Sequence, residues 1–248
     1  MIDPRLPDSP GVVRRLAALA DKPLNFDPAA LRDAGPNGGW EVTDLCQRLP
    51  DEPPGPPVDG GSWQIARRLM RGYEFADPSI VRAYYDPQLP LERRDMLLKL
   101  QALGVVHLFA GVRVGDVYHE TRELRGELVA VWGWNYRTLA GHVEMGQMAW
   151  EVWKRLESGR VEFHVHAVSR PAPIRNPFVR IGFRLLRRRE RRVFLDSTRE
   201  RMLTFTELAL EREGADRRVR KAAADMTART TRADDPAHDA VADNIRST

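Results

Sequence analysis

The sequence predicts an α+β fold, and three observations predict it. From Val105 to Val168 the residues favour extended structure in runs of apolar-polar alternation, with turn residues between the runs. After Pro177 the period lengthens, and Phe178 to Leu210 is the longest helix candidate. Before the strands lie helical segments broken by proline and glycine. Strands gathered in one stretch, with helices before and after, define α+β rather than alternating βα units.

The elements follow in order. Pro10 to Ala20 places Val12, Leu16 and Leu19 on one face and Arg14 and Arg15 opposite, as in an amphipathic helix. Pro23, Pro28, Pro36 and Gly38-Gly39 then break the chain into turns. Trp40 to Cys46 alternates and predicts a strand, while Leu49 to Gly61 holds too much proline for either regular state. Ser62 to Tyr73 predicts a helix capped by Ser62, with Ile65, Leu69 and Met70 inward. Helical spacing recurs in Pro78 to Tyr85 (Ile80, Val81, Tyr84) and in Asp95 to Leu103 (Met96, Leu97, Leu100, Leu103), with Gly104 as its stop.

Five strands follow: Val105–Ala110, Val112–His119, Leu128–Tyr136, Gln147–Lys154 and Val161–Val168. Gly115 predicts a bulge, and Arg125-Gly126 and Ser158-Gly159 predict hairpin turns, which makes the last two strands antiparallel neighbours. Beyond Gly214 no aromatic residue occurs, and the composition predicts a disordered tail with transient helix near Arg217–Thr227. The organisation expected is residues 1–38 as helix and turns, 39–210 as the α+β domain and 211–248 as the tail.

Composition excludes several classes. The 248 residues are 42% hydrophobic and 30% charged, with net charge +4 and arginine concentrated between Arg175 and Arg201. One cysteine, Cys46, excludes an internal disulfide and any multi-cysteine zinc site. The N-terminus lacks a charged segment followed by a long apolar one, and no stretch approaches the ~18 consecutive apolar residues of a membrane span. A cytoplasmic protein is expected.

The segment Trp132 to Gly146 concentrates the chemistry. Trp132, Trp134 and Tyr136 share one strand face, with Met148, Trp150 and Trp153 nearby, and Val161, Phe163, Val165 and Ala167 share a face of the last strand. A long helix laid over such faces encloses either an ordinary aromatic core or a pocket for an apolar or aromatic molecule, and the sequence leaves both open. Gly133, between two tryptophans, permits close approach or a bulge. Gly141 and Gly146 bracket a tight turn that holds His142 and Glu144, a pair with two expected uses: a turn-stabilising hydrogen bond or general acid–base work.

Other chemistry finds less support. His164 and His166 share a face, and His142 and Glu144 could add ligands, but no spacing matches a metal signature; neither metal nor cofactor is expected. Ser169 is followed by Arg-Pro rather than by the small residues of a nucleophile turn, Cys46 has no local base, and no phosphate-binding glycine motif occurs. The residues from Arg187 to Arg192 comprise five arginines and one glutamate. Arg184, Arg187, Arg188, Arg191 and Arg192 form a basic patch that suits nucleic acid or an anionic membrane surface, or else a solvated face balanced by Glu190, Asp196 and Glu200.

Taken together, Tyr136-Arg-Thr-Leu-Ala-Gly-His142-Val-Glu144-x-Gly146, then Phe163 to Arg170-Pro171, then a basic helix after Pro177, resemble domain-of-unknown-function family 1990, also called uncharacterised protein family 0548. Lys22-Pro-Leu-Asn-Phe-Asp-Pro28 and Gly39-Trp40-Glu-Val are similar to the family's opening, so the resemblance spans roughly residues 10 to 210. Ala140 and Val143 replace prolines of its central motif and Gln147-Met148 an acidic pair, whereas Thr138, Ser169 and Arg170 are retained. The resemblance implies a helix-grip architecture like that of lipid-transfer and polyketide-cyclase-like proteins: an antiparallel sheet wrapped around a long C-terminal helix that encloses an apolar cavity. Trp132, Trp134, Tyr136, Thr138, His142, Phe163, Ser169 and Arg170 are then the expected ligand-binding residues, and His142 and Glu144 the candidates for a cyclase- or hydrolase-like step.

Overall fold

The structure, a computed structural model, describes residues 5–32, 34, 38–102, 106–173 and 177–233, and side chains for all of these except 102, 106, 177–188 and 222–233. Its centre is one seven-stranded antiparallel sheet in the order β1-β7-β6-β5-β4-β3-β2. The strands are β1 (Glu41–Leu49), β2 (Val81–Tyr84), β3 (Asp95–Ala102), β4 (Val106–Leu124), β5 (Glu127–Thr138), β6 (Glu144–Arg155) and β7 (Val161–Pro171). The helices are α1 (Pro10–Ala17), α2 (Ser62–Arg71) and α3 (Pro177–Ala233). An antiparallel sheet with a long C-terminal helix is the α+β architecture expected.

Cross-strand register sorts the side chains. Trp134 stands opposite Trp150, which stands opposite Val165; one row away, Tyr136, Met148 and Ala167 align. These share the sheet's inner face with Trp132, Phe163, Gly146 and Ser169, because alternate residues point the same way. Onto this face pack α2 and the stretch of α3 from Phe194 to Thr206. Trp63 of α2 donates its indole N–H to Ala130 O at 3.2 Å, and Phe194 of α3 meets the Trp150 ring edge-on at 6.2 Å. Leu195, Thr198, Met202 and Thr206 are buried at the same helical spacing. Helix α1 covers the other face at the β2–β3–β4 end, where Val12 and Leu19 cluster with Tyr84, Leu97 and Leu139.

That two-sided cover explains the main difference from the sequence reading. Asp95 to Leu103 and Pro78 to Tyr85 are expected as helices but form β3 and the short edge strand β2, while Leu103 and Gly104 lie outside the described residues. Met96 and Leu98 face the inner layer and Leu97 faces α1, all buried, so the apolar run is continuous and its spacing fits a helix equally well. Pairing with β4 overrides the helix propensity of Met, Leu and Lys.

Smaller details also differ. Ser62 is the first residue of α2 and not its cap; Gly61 is the cap residue, and Glu52 accepts the Trp63 N–H at 2.8 Å in place of a capping side chain. The two strands expected on either side of Gly111 are one strand, β4, and its bulge falls between Val114 and Val117, around Gly115 as expected. Arg125 and Gly126 both have positive φ (55° and 81°), the conformation of a tight hairpin turn. Trp153 points away from the aromatic face and stacks on His164 at 4.0 Å.

By contacts the chain divides into two compact units, Met1–Glu207 and Leu208–Thr248. In the second, α3 outlasts its apolar stripe: residues 215–221 are all exposed, yet the helix runs to Ala233 on alanine, arginine and lysine, which are strong helix formers. Residues 234–248 lie outside the described residues.

Candidate functional site

The central turn is built first by its glycines. After β5 the chain reverses through Gly141 (φ 91°) and re-enters the sheet at Gly146 (φ 148°), where a side chain would collide with the Val168 carbonyl oxygen of β7. His142 ties this turn: its Nδ1 accepts the Glu144 backbone N–H at 2.9 Å. Burial pushes the imidazole down to about 4, with the Glu144 carboxylate opposing in part, so the ring is neutral at pH 7. A neutral Nδ1 is what that hydrogen bond requires.

Thr138 joins the turn to the N-terminal segment. Its buried hydroxyl donates to Asn25 Oδ1 at 2.6 Å and accepts the Gly146 N–H at 2.9 Å. Asn25 in turn donates from Nδ2 to Glu144 O at 2.8 Å. The N-terminal run and the central motif, separated by more than a hundred positions, thus meet around one hydroxyl. Asn25 carries no chemical signature of its own; only the resemblance of its surrounding run marked it.

Beside the turn lies the aromatic layer. Tyr73, Trp134, Tyr136 and Trp150 form a closed circuit of rings, with neighbouring centroids 6.1–6.3 Å apart. Phe75 lies 4.5 Å from Trp150, and Phe163 stacks parallel to Trp150 at 6.2 Å. Tyr73 and Phe75 follow α2 and went unrecognised in the sequence, because they lie in a turn with no strand or helix period. Burial holds the Tyr73 and Tyr136 hydroxyls well above their ordinary range, so both stay protonated. Tyr136 donates to Met148 Sδ at 3.3 Å.

Several polar atoms in this layer are sealed from water and have no hydrogen-bond partner among the described residues. Among them are the indole nitrogens of Trp134 and Trp150, Thr198 Oγ1, and Nε and Nη2 of Arg191. Arg191 was grouped with the surface patch, yet it turns inward and donates from Nη1 to Ser169 Oγ at 2.8 Å. Of the other arginines of that patch, Arg192 is exposed, and the side chains of Arg184, Arg187 and Arg188 lie outside the described residues. Trp132 is buried further along the same face under the Arg67 guanidinium, 5.5 Å from its ring. Arg170 points from the opposite face and lies over Trp40 at 4.5 Å.

The outer face carries a separate row. Tyr118, Gly133, Glu151, His164 and Cys46 align across β4, β5, β6, β7 and β1. Gly133 leaves room for the Tyr118 ring to cross it, and the Tyr118 hydroxyl donates to Glu151 Oε1 at 2.5 Å. Cys46, Glu162 and His164 bring one ligand atom each to within 4.8 Å of one another, and such a trio could hold a metal ion. Its electrostatics oppose one: Arg155 and Arg160 lie 3.4 and 3.9 Å from Glu162, and burial, with Glu162 second, raises the Cys46 thiol. His166 pairs with Asp44 at 2.7 Å. Glu144 lies on β6, and His166 and His164 stand opposite Ala149 and Glu151, five and seven residues further along it, at least about 16 Å at roughly 3.3 Å per residue, so the two candidate pairs cannot share an ion.

With this geometry in place, comparison with known proteins gives the class. A family model described as "Domain of unknown function (DUF1990)" matches residues 27–194, and the chain belongs to that family. No curated protein matches it. Among solved structures, it is similar to Ara h 8.0201 at 8% identity, covering 67% of this chain and 99% of that one, with a TM-score of 0.38. An uncharacterised protein from Rhizobium leguminosarum matches at 10% identity, 70% and 95% coverage and a TM-score of 0.33. Human STARD10 matches at 9% identity, 83% and 84% coverage and a TM-score of 0.32. Likenesses this distant carry no argument about ligand or activity. Among the described residues no helix is long and apolar enough to cross a membrane.

Proposed function

We propose that this protein binds an apolar or aromatic small molecule between the inner face of the sheet and the C-terminal helix α3. Trp132, Trp134, Tyr136 and Phe163 line the site in this reading, together with Tyr73, Phe75 and Trp150, and His142 and Glu144 mark its polar end; Arg170, on the opposite face over Trp40, lies outside it. The observation that carries it is the pair of sealed indole N–H groups on Trp134 and Trp150, without acceptors among the described residues. A finished core either pairs such groups or replaces them with apolar ones, since each orphan costs about 1–3 kcal/mol. A layer that bears them beside a closed aromatic circuit is suited to a guest. An acid–base role for His142 and Glu144 is less favoured, because His142 Nδ1 is already engaged within the turn.

Native mass spectrometry beside a denatured control tests the reading, followed by tryptophan fluorescence with 2-naphthol and dodecanol. An extra mass lost on denaturation, or a saturable fluorescence change, supports it. A bare mass together with no fluorescence response to either compound would sink it.

A further inference from the structure

We infer that the guest of this layer is a carboxylic acid, received by the Nε–Nη2 edge of Arg191. The inference rests on the binding reading above and names the chemical class it left open.

Arg191 is held by one of its three nitrogens. Nη1 donates to Ser169 Oγ at 2.8 Å, which fixes the guanidinium plane against the end of β7. The two remaining nitrogens, Nε and Nη2, make up one edge of the fork, and both are sealed from water with no acceptor among the described residues. Two parallel N–H donors on one edge match the two oxygens of a carboxylate. Two charged N–H donors sealed from water without an acceptor are costly, so an anion placed there gains both hydrogen bonds.

The position of Arg191 fits such a guest. Ser169 pairs with Gly146 at the turn end of the sheet, and the aromatic rows extend away from it: Tyr136 and Met148, then Trp134 and Trp150, then Trp132 and Phe163 at the level of Val152. An acid group at Arg191 therefore places its apolar body along the aromatic rows. Glu144, on the same face beyond Gly146, accepts from neither orphan nitrogen. The indole N–H groups of Trp134 and Trp150 are further donors without acceptors among the described residues.

The test titrates the full chain calorimetrically with dodecanoic acid, dodecanol and dodecyl phosphate at pH 7. Dodecanoic acid is expected to bind at least about tenfold more tightly than dodecanol, the ordinary gain from a charge-assisted bidentate contact. Arg191→Met is expected to erase that preference, so that the acid and the alcohol bind the variant alike. It is also expected to raise the melting temperature of the ligand-free protein, because it removes two sealed donors that lack acceptors among the described residues. Ser169→Ala, which frees the guanidinium plane, provides a second reading should Arg191→Met fail to fold, and is expected to cut the preference severalfold. Equal binding of acid and alcohol, a preference that survives Arg191→Met, or tighter binding of dodecyl phosphate overturns the inference. Failure of all three compounds to bind overturns the binding reading itself, a result distinct from dodecanol binding without an advantage for the acid.

Discussion

Lys154 Nζ lies 2.7 Å from Glu52 Oε2, and the two side chains are 0% and 3% exposed. The ammonium also donates to Pro56 O at 2.8 Å, while the carboxylate accepts the backbone N–H groups of Val58 and Trp63. One buried ion pair thus holds the proline-rich connection to the sheet and starts α2. Lys154→Met leaves a buried carboxylate without its counter-charge, so a loss of about 3–5 kcal/mol is expected in urea unfolding. A loss under about 1 kcal/mol would show that water or another cation reaches Glu52.

Gly146 is the second stringent position. Gly146→Ala drives a methyl group onto the Val168 carbonyl oxygen and disturbs the Thr138 link, with an expected cost of about 2–4 kcal/mol. Gly126 has positive φ as well, but nothing lies within 4 Å of an added Cβ, so Gly126→Ala should cost only about 1–2 kcal/mol. Equal losses in paired denaturation curves would show that backbone conformation, and not the collision, governs Gly146.

His142 makes stability depend on pH. Its folded value of about 4 lies below the ordinary 6.5, so between these two values the unfolded chain binds a proton that the folded chain does not. Stability is therefore full above pH 6.5, declines as pH falls towards 4, and has no further contribution from this group below that. A loss on the order of 2 kcal/mol is expected, allowing for the ring's partial contact with water. His142→Asn retains an acceptor for the Glu144 N–H, and its stability should be flatter over the same range. An unchanged slope would assign the pH dependence to other groups.

The end of α3 tests where the domain stops. A chain ending at Gly214 removes residues 215–221, all exposed, and everything after them. Its melting temperature should match that of the full chain within about 2 °C, because no buried apolar area is lost with those residues, while the far-ultraviolet helical signal falls. A large drop in melting temperature would mean that the distal helix contributes to the stability of the domain.

Much of this architecture was legible in the residues. The alternation in Trp132 to Tyr136 and Val161 to Ala167 assigned faces correctly, since strand geometry leaves a side chain only two directions. Positive φ at Gly141 and Gly146 was legible because few other residues adopt it. The strand β3 was not, because a segment covered on both faces loses the alternation by which strands are recognised. Glu52 and Lys154 were unreadable for a different reason: 102 positions separate them, and each looks like an ordinary surface charge.

The sequence by itself determined the α+β order, the antiparallel hairpins, the aromatic face and the tight turn at His142, because each follows from local period or from backbone conformation. Only the tertiary structure decided that Arg191 turns inward. Helical spacing places Arg191 in line with Phe194 and Thr198, but one apolar stripe among five neighbouring arginines does not say which edge of it the sheet will meet. That is settled by where β7 ends, at Ser169 to Pro171, and by the hydroxyl that Ser169 offers there. Long-range placement of a charge depends on the partner's position in space, and no local pattern encodes it.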